Sequence, residues 1–267
     1  MSEPDVLRAA EAIRRIARSH HVLLLFDFDG TLCPFHADSS TVWLSDERRE
    51  QLLALATTAT IAIVSGRRLD DVRRRAGLPM STFCAGLHGL EIEGGGDQFV
   101  HPDASSATDL LSSLEGTLAR ALGGLSGVFV ESKTIALVVH FRSATDAVAA
   151  RARDEVLAVA QPHVEGGRVR VMPGAGMLEL LPNIDWNKGN AVDWIHERVR
   201  AHHPDVTAVY VGDDVTDEDA FRALRNRGLS IAASDRVKGA DYRIDGPDDV
   251  GRLIAMLAER SGEHAIP

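Results

Sequence analysis

The chain has 267 residues, of which 45% are hydrophobic, so it can bury the core of one large domain or of two. Its 29 basic and 39 acidic residues give a formal net charge of −10, which argues against non-specific binding to nucleic acid or to an anionic membrane. No apolar run approaches the ~20 residues of a membrane span, and the first residues lack the apolar region of a signal peptide, so we expect a cytoplasmic protein. The two cysteines are too few for a zinc site or a disulfide framework.

Short apolar runs alternate with helical stretches in the first third of the chain. An amphipathic helix is predicted near the start, with Leu7, Ala10, Ile13 and Ala17 on one face. A strand, a helix, a strand, a helix and a strand are then predicted at residues 22–26, 46–56, 61–65, 69–76 and 82–85. This alternation is typical of a parallel sheet with right-handed crossovers.

The order of the predicted elements changes after residue 92. Three glycines at 94–96 and the polar residues 97–108 predict a linker. Beyond it, two helices are each followed by two strands that a short turn joins: helix 108–122 with strands 127–131 and 135–142, and helix 144–160 with strands 168–172 and 177–181. Two such units predict a small α+β domain whose open sheet carries both helices on one face.

The alternation of helix and strand returns after residue 183. Helices are predicted at residues 189–201, 217–225 and 248–259, and strands at 208–211 and 229–231. We therefore predict one doubly wound, Rossmann-like α/β core domain, made of residues 1–97 and 184–267. The small α+β domain of residues 98–183 is predicted to be an insertion into it.

Two aspartates follow the first predicted strand. Asp27 and Asp29 come after a buried apolar run, at the carboxyl end where open α/β sheets bind their ligands. Because residues two apart in an extended chain point to the same side, the two carboxylates lie close together. Two such carboxylates do not both stay ionised without a cation or a shared proton. The pair therefore predicts either a bound metal or a nucleophile beside a proton donor.

Further polar residues stand at the ends of later elements. Ser65, Gly66 and Arg67 stand at the end of the second predicted strand, where a helix start can bind an anion. On their own they are more typical of a helix N-cap, and both roles use the same free backbone N–H groups. Lys188 opens the helix after the insertion, although the helix dipole disfavours a lysine at that end. This small electrostatic cost favours a functional role for the lysine.

Five acids crowd the seven residues 213–219, directly after a predicted strand. Residues 216–219 fit a capping box for the next helix. Asp213 and Asp214 precede this cap, so capping does not explain them. Mg²⁺ suits them, because it binds one or two carboxylates together with water and phosphate oxygens.

In these four segments, taken in this order, the chain resembles the haloacid dehalogenase superfamily of phosphotransferases. The resemblance implies that the inserted α+β domain is a cap over the substrate. It implies that Asp27 is the nucleophile, which forms an aspartyl-phosphate, and that Asp29 serves as general acid and then as base. Ser65 and Gly66 would donate hydrogen bonds to phosphoryl oxygens, and Arg67 would either join them or form a surface ion pair.

The same resemblance implies roles for the lysine and for the acidic run. Lys188 would hold Asp27 and stabilise the charge that develops in the transition state. Mg²⁺ would be bound by the Asp27 side chain, the Asp29 backbone carbonyl and Asp213, with Asp214 nearby or bridged through water.

Within that superfamily, several segments are similar to the trehalose-6-phosphate phosphatases: residues 85–91, 130–133, 139–142, 177–182 and 212–221. The similarity covers nearly all of residues 22–225 and implies hydrolysis of trehalose 6-phosphate to trehalose and phosphate. It also implies that Glu131, Lys133 and Glu179 contact sugar hydroxyls. Glu179 lies between two leucines, so strand alternation places it on the opposite sheet face from both. His88 is interpreted as a substrate contact or as a structural histidine.

Two alternatives stay open at this point. The same chemistry could act on another sugar phosphate, such as sucrose phosphate or a glycosyl-phosphoglycerate. Less favoured is a non-catalytic sensor of sugar phosphate that regulates a synthase. The partners that the resemblance implies are a small-molecule sugar phosphate and, through a functional link, a trehalose-6-phosphate synthase.

Overall fold

A computed structural model describes residues 3–36, 41–133, 136–174 and 176–261. The chain forms two compact units. The core unit comprises Met1–Val100 and Trp186–Pro267, and the inserted unit comprises His101–Asp185. None of the helices in the described part of the chain is both long and apolar enough to cross a membrane.

The elements follow the predicted order closely. The helices are α1 (Glu3–Ile16), α2 (Asp46–Leu55), α3 (Leu69–Ala76), α4 (Ala104–Leu122), α5 (Asp146–Glu165), α6 (Lys188–Arg200), α7 (Asp217–Leu224) and α8 (Gly246–Ser261). The strands are β1 (Val22–Phe26), β2 (Thr60–Val64), β3 (Phe83–Gly86), β4 (Glu91–Gly94), β5 (Asp97–Val100), β6 (Phe129–Lys133), β7 (Ala136–His140), β8 (Val169–Gly174), β9 (Met177–Pro182), β10 (Thr207–Gly212), β11 (Gly228–Ala232) and β12 (Tyr242–Arg243).

The core unit is built on a sheet of eight strands in the order β12-β11-β10-β1-β2-β3-β4-β5. The six strands from β12 to β3 pair in parallel, as the alternation of strand and helix predicts. The chain leaves β1 toward β2 on one side and returns to β10 on the other, so the strand order reverses around β1. In doubly wound sheets, ligands bind at the carboxyl ends of the strands beside such a reversal.

Both faces of this sheet are buried, and β1 shows how the sequence achieves it. Val22, Leu24 and Phe26 belong to one hydrophobic cluster, which also contains residues of α1, α2 and α8. The alternate residues, Leu23 and Leu25, belong to a second cluster, which contains residues of α6 and α7. A strand that is covered on both faces has no polar alternation, which explains its continuous apolar sequence.

The linker predicted over residues 94–108 was wrong. β4 and β5 form a hairpin that pairs antiparallel with β3 and extends the core sheet. The glycines at 94–96 serve the turn of this hairpin, because all three have positive φ values that favour glycine. Helix α4 then begins at Ala104, four residues earlier than predicted.

The inserted unit has a four-stranded antiparallel sheet in the order β6-β7-β9-β8. Helices α4 and α5 pack against each other and against this sheet. In β9, Leu178 and Leu180 are buried, whereas Glu179 between them is partly exposed. The register pairs Glu131 with Val138 and Val138 with Glu179, so both glutamates lie on one sheet face.

Candidate active site

Three neighbouring parallel strands deliver polar residues to one edge of the core sheet. Asp27 directly follows β1, Ser65 follows β2, and Asp213 follows β10. Because β10, β1 and β2 are adjacent and parallel, their carboxyl ends meet. All three side chains are buried, which is unusual for acids and for serine.

Lys188 connects two of the buried acids. Its Nζ donates to Asp27 Oδ1 and to Asp217 Oδ1, each at 2.6 Å. Lys188 is 2% exposed, Asp27 5% and Asp217 0%. The lysine is placed there by the start of α6, where the Asn187 side chain caps the helix and Asn190 completes a reciprocal capping box.

Burial and pairing act in opposite directions on these groups. Burial raises the pKa of Asp27 well above its ordinary value, and the adjacent Lys188 ammonium opposes that rise. Burial would lower the pKa of Lys188, but Asp217 and Asp27 outweigh it and hold this pKa above its ordinary value. Lys188 is therefore a fixed positive charge beside Asp27 at neutral pH.

Asp217 holds Lys188 in place and is itself fixed by two further hydrogen bonds. Its Oδ1 also accepts from the Tyr210 hydroxyl at 2.7 Å, and its Oδ2 accepts from the Asp214 backbone N–H at 2.8 Å. The sequence interpretation had placed Asp217 in a capping box led by Thr216, but Thr216 makes no side-chain cap bond to α7. That prediction was wrong, because Asp217 points into the core to meet Lys188. The sequence does carry a signal for a buried role of Asp217, because residues 213–219 hold five acids, more than one helix cap requires.

Asp213 is held by a hydroxyl and a guanidinium. Thr31 Oγ1 donates to its Oδ1 at 2.9 Å, and Arg236 Nη2 donates to its Oδ2 at 2.7 Å. Gly30 has a φ of +90°, and a Cβ there would lie 2.4 Å from Asp213 Oδ2. Gly30 is thus required by the close approach of Asp213 as well as by the turn after Asp29. The position of Thr31 in the sequence predicts a hydroxyl that orients Asp29, whereas in the structure this hydroxyl donates to Asp213. Arg236 was not among the predicted site residues.

The buried acids form a set of hard oxygen donors. One carboxylate oxygen from each of Asp27, Asp213 and Asp217 lies within 4.8 Å of the others, which suits a divalent cation. Asp214 is exposed, and its Oδ1 accepts from the Val215 backbone N–H at 2.8 Å, so its carboxylate is not part of this set. Burial raises the pKa of Asp213, and the hydrogen bond from Thr31 opposes that rise.

Asp29 forms a two-point ion pair with Arg67. Arg67 Nε and Nη2 donate to the two oxygens of Asp29, both at 2.6 Å. Arg67 Nη1 also donates to Asp71 at 3.1 Å. Burial lowers the pKa of Arg67, but its bonds to Asp29 and Asp71 outweigh this and raise it overall. Arg67 is thus a partner of a candidate catalytic acid and is mostly buried, which excludes a simple surface ion pair.

The segment from Ser65 to Arg67 is fastened to the turn that contains His88. The Ser65 carbonyl accepts from the His88 N–H at 2.9 Å, and the Arg67 carbonyl accepts from the Leu87 N–H at 2.7 Å. A Cβ on Gly66 would lie 2.9 Å from Cε1 of the His88 imidazole. Leu87 and His88 have φ values of 55° and 58°, a backbone conformation that residues other than glycine rarely adopt. The Ser65 hydroxyl accepts from the Arg67 N–H at 3.1 Å. Arg68 occupies the N-cap position of α3 without a side-chain cap bond, so Ser65 is not its N-cap.

The predicted sugar contacts lie in the inserted unit. Glu131 Oε2 is 2.7 Å from His140 Nε2, and the His140 ring stacks on Phe129 with 4.4 Å between centroids. Glu179 shares the sheet face of Glu131. Lys133 ends β6, and its side chain lies outside the described residues. The His140 partner of Glu131 was not predicted, because it depends on the register of the hairpin.

A family model described as trehalose-phosphatase matches residues 25–242, well over half of the chain. The chain belongs to the trehalose-phosphatase family.

Relatives and solved structures agree with this assignment. The trehalose-phosphate phosphatase of Mycobacterium avium (strain 104) is 34% identical over 270 residues, which cover 96% of this chain and 67% of that protein. An uncharacterized glycosyl hydrolase of Mycobacterium tuberculosis (strain CDC 1551 / Oshkosh) is also 34% identical, over 264 residues, but this chain spans only 20% of its length. The C-terminal domain of C. albicans trehalose-6-phosphate phosphatase has the same fold, with a TM-score of 0.74 at 22% identity over 94% of this chain and 97% of that one.

The predicted family resemblance and the predicted fold class are both confirmed. The trehalose-phosphatase core is a doubly wound α/β sheet of the haloacid dehalogenase type, and a small α+β unit is inserted into it.

Gly86, at the start of the turn that contains His88, lies where another segment of backbone approaches closely. A Cβ at Gly86 would lie 2.3 Å from the backbone N of Leu69, which cannot move aside as a flexible side chain would. We expect Gly86→Ala to lower the free energy of unfolding by about 1–3 kcal/mol, the usual cost of overpacking. Urea unfolding followed by circular dichroism measures this loss. Gly124→Ala is the control, because no atom lies within 4 Å of the Cβ there; equal midpoints for the two variants would contradict the prediction.

Proposed function

We propose that this chain is a Mg²⁺-dependent phosphatase that hydrolyses trehalose 6-phosphate to trehalose and phosphate through an aspartyl-phosphate on Asp27. The observation that carries the proposal is the buried bridge from Lys188 to Asp27 and Asp217, beside Asp213. Isolating charges from water is costly, so a cluster of three acids and one lysine calls for a function. The family match supports the substrate class.

Asp27 is the nucleophile in this proposal. Its carboxylate attacks phosphorus, the sugar oxygen leaves, and water later attacks the same phosphorus and restores Asp27. The ammonium of Lys188, 2.6 Å from Asp27 Oδ1, offsets negative charge that accumulates around the phosphoryl group. The Ser65 hydroxyl and the N–H of Gly66, at the end of the next strand, bind phosphoryl oxygens and fix their orientation.

Asp29 is the general acid and then the base. It donates a proton to the leaving sugar oxygen and afterwards takes one from the attacking water. Arg67 holds both Asp29 oxygens, so at least one of these bonds opens before Asp29 exchanges a proton. Arg67 is then a guanidinium close to the substrate, able to bind a phosphoryl oxygen.

The acids fit a Mg²⁺ ion. Asp27 and Asp213 would hold it, with the Asp29 backbone carbonyl, and we propose that Asp214 contributes at most through water. Asp217 lies in the same cluster, but its oxygens already accept from Lys188, Tyr210 and the Asp214 N–H, so it serves as support. When bound, the ion neutralises the acids and polarises the phosphoryl group.

The decisive experiment is phosphate release over a panel of sugar phosphates. We expect trehalose 6-phosphate to give the highest kcat/KM, above sucrose 6-phosphate, glucose 6-phosphate and glucosyl-3-phosphoglycerate. A better rate on another member would overturn the substrate and leave the phosphatase chemistry standing. Tight binding of trehalose 6-phosphate without any phosphate release would instead support the non-catalytic sensor. If the substrate holds, a trehalose-6-phosphate synthase is the partner enzyme class that supplies it.

Removal of divalent cations should abolish this activity. We expect exhaustive chelation to reduce phosphate release to background, because the acids around Asp27 then repel the phosphoryl group. Added Mg²⁺ should restore the rate, whereas Ca²⁺ should not, since it prefers more ligands and looser geometry. The test is phosphate release after chelation and metal replacement, with full activity of the metal-free protein as the contradicting result.

Glu131 and Glu179 of the inserted unit should bind hydroxyl groups of the sugar. We expect Glu131→Ala and Glu179→Ala each to lower kcat/KM for trehalose 6-phosphate by roughly 10- to 10³-fold, as for one or more lost charge-assisted hydrogen bonds. Hydrolysis of p-nitrophenyl phosphate, which carries no sugar, should change far less. Asp154→Ala is the matched control, because Asp154 is an exposed acid on helix α5 of the same unit. Equal losses on both substrates would assign these glutamates to folding.

A further inference from the structure

Arg236 reaches from a surface loop into the acid cluster of the core unit. It lies between β11 and β12, and its Nη2 donates to Asp213 Oδ2 at 2.7 Å. The Arg236 side chain is 64% exposed, whereas that of Asp213 is 3% exposed. The guanidinium therefore touches a buried acid while most of its side chain remains in water.

The loop is built to hold Arg236 in this position. The Ser234 hydroxyl oxygen accepts from the Arg236 backbone N–H at 2.9 Å and from its Nε at 3.3 Å. The same serine thus shapes the turn and orients the guanidinium. Such a local side-chain bond to the backbone fixes a turn without help from other elements.

The charges around the cluster explain why this contact matters. Lys188 bonds to both Asp27 and Asp217, so its single positive charge offsets one of their two negative charges. Among the described residues, Arg236 is the one cation that lies within ion-pair distance of Asp213. Thr31, the other partner of the Asp213 carboxylate, is a neutral donor. The charge of Asp213 is therefore balanced by an exposed residue of a surface loop.

We propose that Arg236 is a counter-ion that competes with the divalent cation for Asp213 and thereby sets the affinity of the site for Mg²⁺. The proposal rests on the proposed function, since it takes Asp213 as a ligand of the ion. A divalent cation bound at Asp213 Oδ2 would repel the guanidinium that donates to the same oxygen, so Arg236 would withdraw. Its exposure makes withdrawal easy, because the guanidinium exchanges its bond to Asp213 for bonds to water. Without the ion, Arg236 returns and shields Asp213 from its acidic neighbours.

The test is Mg²⁺ binding itself, measured by isothermal titration of the whole protein with MgCl₂ at constant ionic strength. Arg236→Ala should bind Mg²⁺ about three- to tenfold more tightly, a modest gain because water screens an exposed partner. Its Tm without metal should fall, because Asp213 then lacks a counter-charge. Its Tm in saturating Mg²⁺ should match that of the wild type, so the rise in Tm that Mg²⁺ produces becomes larger.

Three further variants separate competition from other effects. Arg236→Lys keeps the charge and should return the affinity most of the way to the wild-type value. Ser234→Ala removes the hydroxyl that orients Arg236 and should tighten binding less than Arg236→Ala does. Arg222→Ala is the matched control, because Arg222 is 62% exposed and pairs with Asp219 outside the cluster. It should leave the Mg²⁺ affinity unchanged.

The outcomes are distinct. Unchanged or weaker Mg²⁺ binding by Arg236→Ala would overturn the competition, and so would equal tightening by Arg222→Ala, which would mean a general effect of net charge. If the wild type binds Mg²⁺ and hydrolyses trehalose 6-phosphate, but the Arg236 and Ser234 variants bind Mg²⁺ with the wild-type affinity, only the proposed role of Arg236 is overturned. If the wild type binds no Mg²⁺, the metal part of the proposed function falls with it.

Discussion

Replacing Asp27 by Asn should reduce the turnover of trehalose 6-phosphate by about 10⁴-fold or more, the scale of losses when a covalent nucleophile is removed. The amide is nearly the same shape but is a poor nucleophile, and it cannot form the acyl phosphate. It also removes one of the two negative charges that Lys188 bridges. Phosphate release under saturating substrate measures the loss.

The fold should survive this change. The amide oxygen introduced by Asp27→Asn can still accept a hydrogen bond from Lys188, whose charge stays paired with Asp217. Circular dichroism and the urea midpoint should therefore stay close to the wild-type values, and the variant should still bind trehalose 6-phosphate. Turnover within tenfold of the wild type would exclude covalent catalysis at Asp27.

Replacing Lys188 by Met should have the largest effect on stability. The side chains are similar in length, but the variant leaves Asp27 and Asp217 buried without their shared cation. Removal of one partner from a buried ion pair costs about 3–5 kcal/mol, because the remaining charge is uncompensated. We expect a loss of that size in the free energy of unfolding at pH 7, together with loss of phosphatase activity. Urea titration measures the loss, and Lys238→Met, at an exposed lysine of the same unit, is the control.

The pH dependence of the Lys188→Met deficit has a definite sign. Burial already raises the pKa of Asp27, and removal of the Lys188 charge raises it further. A carboxyl whose folded-state pKa lies above its unfolded value stabilises the fold while protonated and loses that contribution as the pH rises through the folded pKa. The deficit should therefore grow from acid toward neutral pH. A deficit that is constant with pH would assign it to lost packing and not to charge.

Local sequence patterns were enough to find the centre of the site. Asp27 and Asp29 follow an apolar run whose continuous burial follows from helices on both faces of the sheet. Lys188 stood out because it conflicts with the helix dipole, and the structure pairs it with two acids. For Lys188 a short-range rule was broken, and the exception pointed to a residue of the candidate site.

Contacts between distant segments could not be predicted in the same way. The bond from Thr31 to Asp213 joins residues 182 apart in the chain, and Arg236 approaches Asp213 from a loop with no distinctive sequence. Asp217 looked like a helix cap because its short-range pattern fits one, yet its partners Lys188 and Tyr210 lie on other elements. The hairpin of β4 and β5 was missed because three successive glycines predict a linker as readily as a turn.

The most direct test of covalent catalysis at Asp27 is to trap the intermediate. Trehalose 6-phosphate is mixed with the Mg²⁺-loaded enzyme, and the mixture is quenched in acid within milliseconds. Reduction with borohydride then converts an aspartyl-phosphate to homoserine and releases the phosphate. The wild type should show transient homoserine at position 27, and Asp29→Asn should show more, because its phosphoenzyme is hydrolysed slowly. Steady hydrolysis of trehalose 6-phosphate with no modification at position 27, at any time and in either protein, would contradict the proposed mechanism.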